Sequence, residues 1–187
     1  MTHDATHEQA HEQAHEQAHE QAHGRTHETR ILSITVRRPV AEVRAYLADP
    51  LNFTQWAAGL AGGLAPLSDD GSQGLDPTLW SAQSPQGDVT VRFSAANDFG
   101  VADHWVFLPD GTTVYVPLRA VANGDGTEVS LTLYRQPSMD DAKFAADGDW
   151  VTRDLAQLKA LLEQRPTPRA AASAGEASSS ANLSRKR

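Results

Sequence analysis

The chain of 187 residues is long enough for one domain with tails, and its formal net charge of −8 argues against nucleic acid or an anionic membrane as the main partner. It contains no cysteine, which excludes disulfides, thiolate metal sites and a cysteine nucleophile. No apolar run is long enough to span a membrane and the N-terminus is polar, so we expect a soluble cytoplasmic protein.

Residues 1–29 are a low-complexity arm in which histidine recurs at every fourth position between Glu, Gln and Ala. These residues favour a helix, but no face is apolar, so we expect the arm to be exposed, part-helical and largely disordered. Imidazoles at i and i+4 of a helix can share one Zn²⁺ or Ni²⁺, which makes weak metal binding one interpretation. A repeat-expanded tract with no selected role is the other. The candidate metal ligands are His7, His11, His15, His19 and His23, and we expect no other cofactor.

The folded domain is predicted over residues 30–164 and begins with a strand and two short helices. Residues 31–36 are apolar and β-branched, which indicates a strand that ends at Pro39. An apolar stripe over 40–48 predicts the first helix, and 51–60, with Phe53 and Trp56, the second.

From residue 64 to 136 the pattern is all β. Glycine-containing turns at 84–87, 97–100, 108–111 and 123–126 separate the apolar runs. Consecutive strands joined by such short turns form an antiparallel meander. The predicted strands lie at about 78–83, 88–95, 101–108, 112–121 and 127–135.

The short turns also fix which residues face each other across the strands. They place Val106 opposite Val114, Leu118 opposite Leu131 and Phe93 opposite His104. All three turns agree on one apolar face with His104 in its middle. Its apolar members are Val89, Val91, Phe93, Ala102, Val106, Val114, Val116, Leu118, Val129, Leu131 and Leu133.

The opposite face of the sheet carries a cross-strand row of Arg92, Trp105, Tyr115 and Tyr134. Such a row stabilises a sheet through aromatic and cation–π contacts. It could also serve as a surface for another protein.

A long helix is predicted over 138–164, with Ser138 as its N-cap. Its stripe is apolar in the second half, but Asp140 and Asp147 point the same way as Val151 in the first half. We therefore expect the second half to pack on the sheet and the first half to border a cavity. Residues 165–187 are rich in Pro, Ala, Ser and Gly, which indicates a disordered tail. The stripe consists of Phe144, Val151, Leu155, Leu158 and Leu162.

The order of strand, two short helices, antiparallel strands and long helix resembles the START-like or helix-grip (SRPBCC) superfamily. The segments Pro39-Val40-Ala41-Glu42-Val43 and Asp49-Pro50-Leu51-Asn52-Phe53-Thr54-Gln55-Trp56 carry the resemblance, and the second is similar to bacterial polyketide cyclase/dehydrase-like proteins. The resemblance implies an α+β fold in which six to seven antiparallel strands curl around the last helix and leave a cavity. It implies a packing role for Trp56 and no shared catalytic motif.

His104 and Asp147 are the candidate polar pair of that cavity. If they meet, the carboxylate would orient the imidazole and raise its pKa, which suits a general base or a ligand anchor. Alternatively, His104 is a structural residue with a satisfied partner. The predicted lining is Phe93, His104, Val106, Val116, Leu118, Asp147 and Val151.

The predicted function is binding, transfer or enzymatic modification of a small hydrophobic or aromatic, polyketide- or lipid-like ligand. Metal buffering by the histidine arm is one alternative. A protein-interaction module that uses Trp105, Tyr115 and Tyr134 is the other. Ligand identity, the choice between enzyme and binding protein, and oligomeric state stay open.

Overall fold

The computed structural model describes residues 26–60, 62–67, 78–84 and 87–165. Residues 1–25 of the histidine arm, which include the five candidate metal ligands, and the tail beyond residue 165 lie outside this part. The strands are β1 Thr29–Val36, β2 Leu64–Pro66, β3 Leu79–Ser84, β4 Gly87–Phe93, β5 His104–Phe107, β6 Thr113–Val116, β7 Leu118–Asn123 and β8 Gly126–Tyr134. The α-helices are α1 Val40–Leu47, α2 Phe53–Trp56 and α3 Asp141–Gln164.

The strands form two antiparallel ladders, in the orders β1-β8-β7 and β2-β3-β4-β5-β6. The ladders join where β6 runs into β7 at Pro117. The Ala102 amide donates to the Leu118 carbonyl at 2.9 Å, and the Thr132 amide donates to the Pro117 carbonyl at 2.9 Å. These bonds link the two ladders, and residues of both ladders share one core with α3, so the α+β helix-grip fold is confirmed.

The strand predicted over 112–121 is broken at Pro117 into β6 and β7. Proline has no amide hydrogen to donate to a ladder. Beside it, the amide of Leu118 donates to the buried carboxylate of Asp103 at 3.0 Å. The Asp103 carboxylate therefore satisfies the backbone amide that follows the break at Pro117.

The predicted register is confirmed. Val106 pairs with Val114, and Leu118 pairs with Leu131. Phe93 pairs with His104. Members of the predicted inner face are buried in the core or packed against it, and Val114 lines the cavity described below.

The helix pair after β1 is shorter than predicted. In place of one helix over 51–60, a 3-10 turn at Pro50–Asn52, the four-residue α2 and a second 3-10 turn at Ala58–Leu60 follow one another. The Asp49 carboxylate accepts the Leu51 amide at 3.0 Å and starts the first turn. Phe53 and Trp56 are both buried, and their rings pack 4.9 Å apart, which agrees with the packing role expected of Trp56.

Helix α3 begins three residues later than the predicted 138. Asp140, not Ser138, is its N-cap, because the Asp140 carboxylate accepts the Lys143 amide at 2.7 Å. The predicted stripe is confirmed, because Phe144, Leu155, Leu158 and Leu162 are buried and Val151 packs against the core.

The C-terminus of α3 is held by the buried side chain of Arg38. Its Nε donates to the Leu162 carbonyl at 3.0 Å and its Nη2 to the Glu163 carbonyl at 3.0 Å. It also donates to the Arg165 carbonyl. The last carbonyls of a helix lack partners within it and carry partial negative charge, so a buried guanidinium there both satisfies and stabilises them.

Within the described ranges, none of the helices is both long and apolar enough to cross a membrane.

Candidate functional site

A cavity of about 240 Å³ lies between α3, α2 and the inner face of the sheet. Most of its wall is apolar or aromatic. The strands contribute alternate residues, as expected when one face of each strand points inward. The apolar lining includes Phe53, Trp56, Leu60, Val89, Val106, Leu108, Val114, Val116, Leu131, Leu133, Trp150 and Val151.

The cavity reaches a seam between β6 and β8. Strand β8 is paired with β7 only as far as Leu131, and β6 is paired with β5 alone. Tyr115 and Tyr134 belong to the outer face of the sheet, yet both line the cavity. They do so because no ladder closes the sheet between them. Their rings stack over the seam with centroids 6.2 Å apart.

Buried Asp103 holds Tyr115 at this seam. Its carboxylate accepts the Tyr115 hydroxyl at 2.6 Å and pairs with Arg119. The predicted outer row also forms, since Arg92 lies 4.5 Å over the Trp105 ring and Trp105 stacks on Tyr115 at 5.0 Å. Whether this surface binds another protein stays a prediction.

His104 is the ionisable residue at the inner wall of the cavity. It is 8% exposed, and its Nδ1 has no hydrogen-bond partner. Its ring packs edge-on against Phe53 at 5.2 Å and beside Phe93 at 5.8 Å. Burial lowers the pKa of His104 from 6.5 to about 4, because an apolar surrounding disfavours the imidazolium. The imidazole is therefore neutral at pH 7.

The structure does not join His104 to Asp147. The Asp147 carboxylate pairs with Lys143 one turn earlier on α3, and it forms no hydrogen bond or ion pair with His104. Asp154 lies seven residues further along, which is two helical turns, and therefore on the same side of α3. It is Asp154 that lines the cavity.

The Asp154 carboxylate is half-buried. It accepts the Ala58 amide at 3.3 Å, and burial raises the pKa of this carboxyl group. Asp154, Trp56 and Trp150 line both the cavity and a groove on the outer surface. These three residues therefore mark one place where the interior of the cavity meets the solvent.

Of the predicted lining residues, His104, Val106, Val116 and Val151 face the cavity. Phe93 and Leu118 are packed in the core behind it. Trp150 flanks the predicted stripe, where a residue at the mouth of a pocket was one interpretation and surface packing the other. Helical spacing offered a signal for Asp154, which was missed, because it lies one turn after Trp150. The position of α2 against the cavity had no comparable signal.

Across the described segments, no cluster of three or more His, Asp or Glu side chains is placed to hold a metal ion. Metal binding by His7 to His23 stays a prediction.

No protein-family model matches the sequence, and no curated protein matches it. Solved structures do match the described fold. A START superfamily protein from Mycobacterium smegmatis has a TM-score of 0.55 at 14% identity, over 73% of this chain and 97% of its own. The protein XoxI from Bacillus cereus has a TM-score of 0.55 at 9% identity, over 73% and 96%.

A third match is DynU16, a protein of the dynemicin biosynthetic locus, with a TM-score of 0.54 at 14% identity. It covers 73% of this chain, and the chain spans about half, 47%, of the length of DynU16. At these identities the likeness shows the fold, which is START-like.

Proposed function

We propose that this START-like domain binds a small hydrophobic or aromatic molecule in the cavity between the sheet and α3. The observation that carries the proposal is the cavity of about 240 Å³ with its largely apolar wall. An apolar cavity of roughly 150 Å³ suffices to bind benzene. The cavity here therefore has room for a compact molecule of one or two rings.

The contacts of His104 support binding more directly than catalysis. A histidine that acts as a general base is usually oriented by a third group, as a carboxylate does in a catalytic triad. Here Nδ1 has no partner and Asp147 is paired with Lys143. A neutral imidazole can instead donate or accept one hydrogen bond with a ligand. Enzymatic modification of a polyketide-like ligand stays a prediction.

Isothermal titration calorimetry of the full chain with 1-naphthylmethanol, a neutral two-ring alcohol, tests the proposal. Val114 lines the cavity, so Val114→Phe should fill part of it and weaken binding by about tenfold, or about 1.4 kcal/mol. Val121 is 51% exposed, so Val121→Phe makes the same chemical change away from the cavity and should bind like the native chain.

Removal of residues 2–25 should also leave binding unchanged, because the described residues that line the cavity belong to the domain that follows the arm. The proposal fails if the native chain releases no heat on titration, or if Val114→Phe binds as tightly as Val121→Phe. A native mass spectrum in which zinc or nickel is bound only when residues 2–25 are present would instead support metal buffering.

A further inference from the structure

We propose that the cavity selects small organic cations, one- or two-ring molecules that carry a protonated amine, and that the Asp154 carboxylate is their partner. The inference rests on the proposed function and adds the charge of the ligand to it.

The described wall of the cavity carries a negative charge and no positive one. Asp154 is the charged residue among the described lining residues, and neither Lys nor Arg is among them. His104 is neutral at pH 7, so it adds no positive charge. A carboxylate ligand inside the cavity would lie near Asp154, while Arg153 lines the outer groove and not the cavity. A protonated amine would find an opposite charge in a partly desolvated place, where such a pair gains most.

Asp154 has no competing cation within ion-pair distance in the described part of the chain. Its carboxylate accepts hydrogen bonds from the Ala58 amide and the Trp150 indole. Neighbouring Arg153 lines the outer groove and acts to lower the pKa of Asp154 by electrostatic attraction, but it forms no ion pair with it. The raised pKa of Asp154 agrees with a carboxyl group whose burial outweighs the help of its neighbours. A bound cation would compensate for that loss of hydration.

Two indole rings flank the same place. Trp56 is buried and Trp150 is 38% exposed, and both line the cavity together with Asp154. Organic cations are attracted to the faces of indole rings, which adds to the attraction of the carboxylate. The net charge of −8 of the chain also favours the approach of a cation.

Asp147 provides a matched control on the same side of α3. It carries the same charge two turns away, but it is paired with Lys143 and does not line the cavity. Asp154→Asn should keep the local fold, because the side-chain oxygen of asparagine can still accept a hydrogen bond from the Ala58 amide.

The test compares three probes of nearly the same shape by calorimetry at pH 7. These are 1-naphthylmethylamine, which is a cation, 1-naphthylmethanol, which is neutral, and 1-naphthoic acid, which is an anion. The native chain should bind the amine about tenfold more tightly than the alcohol, or about 1.4 kcal/mol, and the acid most weakly. Asp154→Asn should remove the preference for the amine, and Asp147→Asn should keep it.

The pattern of binding shows whether the cation proposal fails alone or the ligand cavity fails with it. If the alcohol binds but the native chain shows no preference for the amine, the cation proposal is overturned while the ligand cavity stands. The same holds if the preference survives in Asp154→Asn. If none of the probes binds, both proposals fail. The comparison on the native chain needs no variant, so it decides the question even if Asp154→Asn does not fold.

Discussion

Acidification from pH 7 to pH 5 should destabilise the fold through His104. The imidazole is buried among Phe53 and Phe93, and its pKa is lowered to about 4 in the folded chain. In the unfolded chain the same ring titrates near its ordinary value of 6.5. Between these values the unfolded state binds a proton that the folded state does not. Stability is therefore fully present above pH 6.5 and is lost as the pH falls towards 4.

The magnitude follows from the two pKa values. The complete shift corresponds to about 3 kcal/mol, of which about 2 kcal/mol should be lost between pH 7 and pH 5. The pKa of the Glu163 carboxyl group is lowered from 4.5 to about 2, chiefly by the hydrogen bond from the Arg37 amide. Because Glu163 takes up its proton mainly below pH 5, it contributes little to the change in stability between pH 7 and pH 5. The loss of about 2 kcal/mol is a large share of the stability of a small domain.

Urea unfolding of the native chain at several pH values between 7 and 5 measures this loss. His104→Gln removes the titrating group, so its free energy of unfolding should fall by about 2 kcal/mol less than that of the native chain. His27→Gln is the matched control, because it makes the same substitution at an exposed histidine outside the cavity. If His104→Gln and the native chain lose the same free energy, His104 is not the group responsible and the reasoning is refuted.

Two further substitutions test the packing that positions the cavity, both by urea unfolding at pH 7. Arg38→Ala should cost about 2–3 kcal/mol, because it removes the buried guanidinium that donates to the carbonyls of Leu162 and Glu163 at the end of α3. Arg37→Ala changes a side chain that is 83% exposed and should cost less than about 1 kcal/mol. Equal costs would contradict the assigned cap. Gly100→Ala should cost more than about 3 kcal/mol, because Gly100 has a φ of +74° and a Cβ there would overlap the carbonyl of Ala120. Gly124→Ala, with a φ of +58° but open space, should cost about 1 kcal/mol, and a larger loss there than at Gly100 would refute this account.

Much of the sheet could be predicted because each short turn allows only one register. Once the loop at 108–111 sets Val106 against Val114, the inner face follows from the two-residue period of the strand. The break at Pro117 also had a local signal, since proline within a strand predicts a lost ladder bond. The seam between β6 and β8 had no local signal, because the sequence of a single strand does not show whether a neighbouring strand pairs with it.

The sequence predicts which side of α3 carries the acidic residue that faces the cavity, but not how far along the helix that residue lies. Helical periodicity places Asp147 and Asp154 on the same side of α3, and both were available to face His104. Which of them reaches the cavity depends on how far the helix lies along the sheet. That position is set by tertiary contacts such as the cap that Arg38 places on the last turn, and no local pattern encodes it.

The seam has a consequence for how the cavity can change its size. A barrel closed by ladders on all sides can enlarge its interior only by breaking backbone hydrogen bonds, and each of these is costly to leave unmade. Beyond the bond between Thr132 and Pro117, β6 and β8 share no ladder, so moving these two strands apart would disturb the Tyr115–Tyr134 stack and side-chain packing without breaking a ladder. Under the proposed ligand-binding function, we expect the two tyrosines to determine whether longer substituents fit, while the helix side of the cavity keeps its shape.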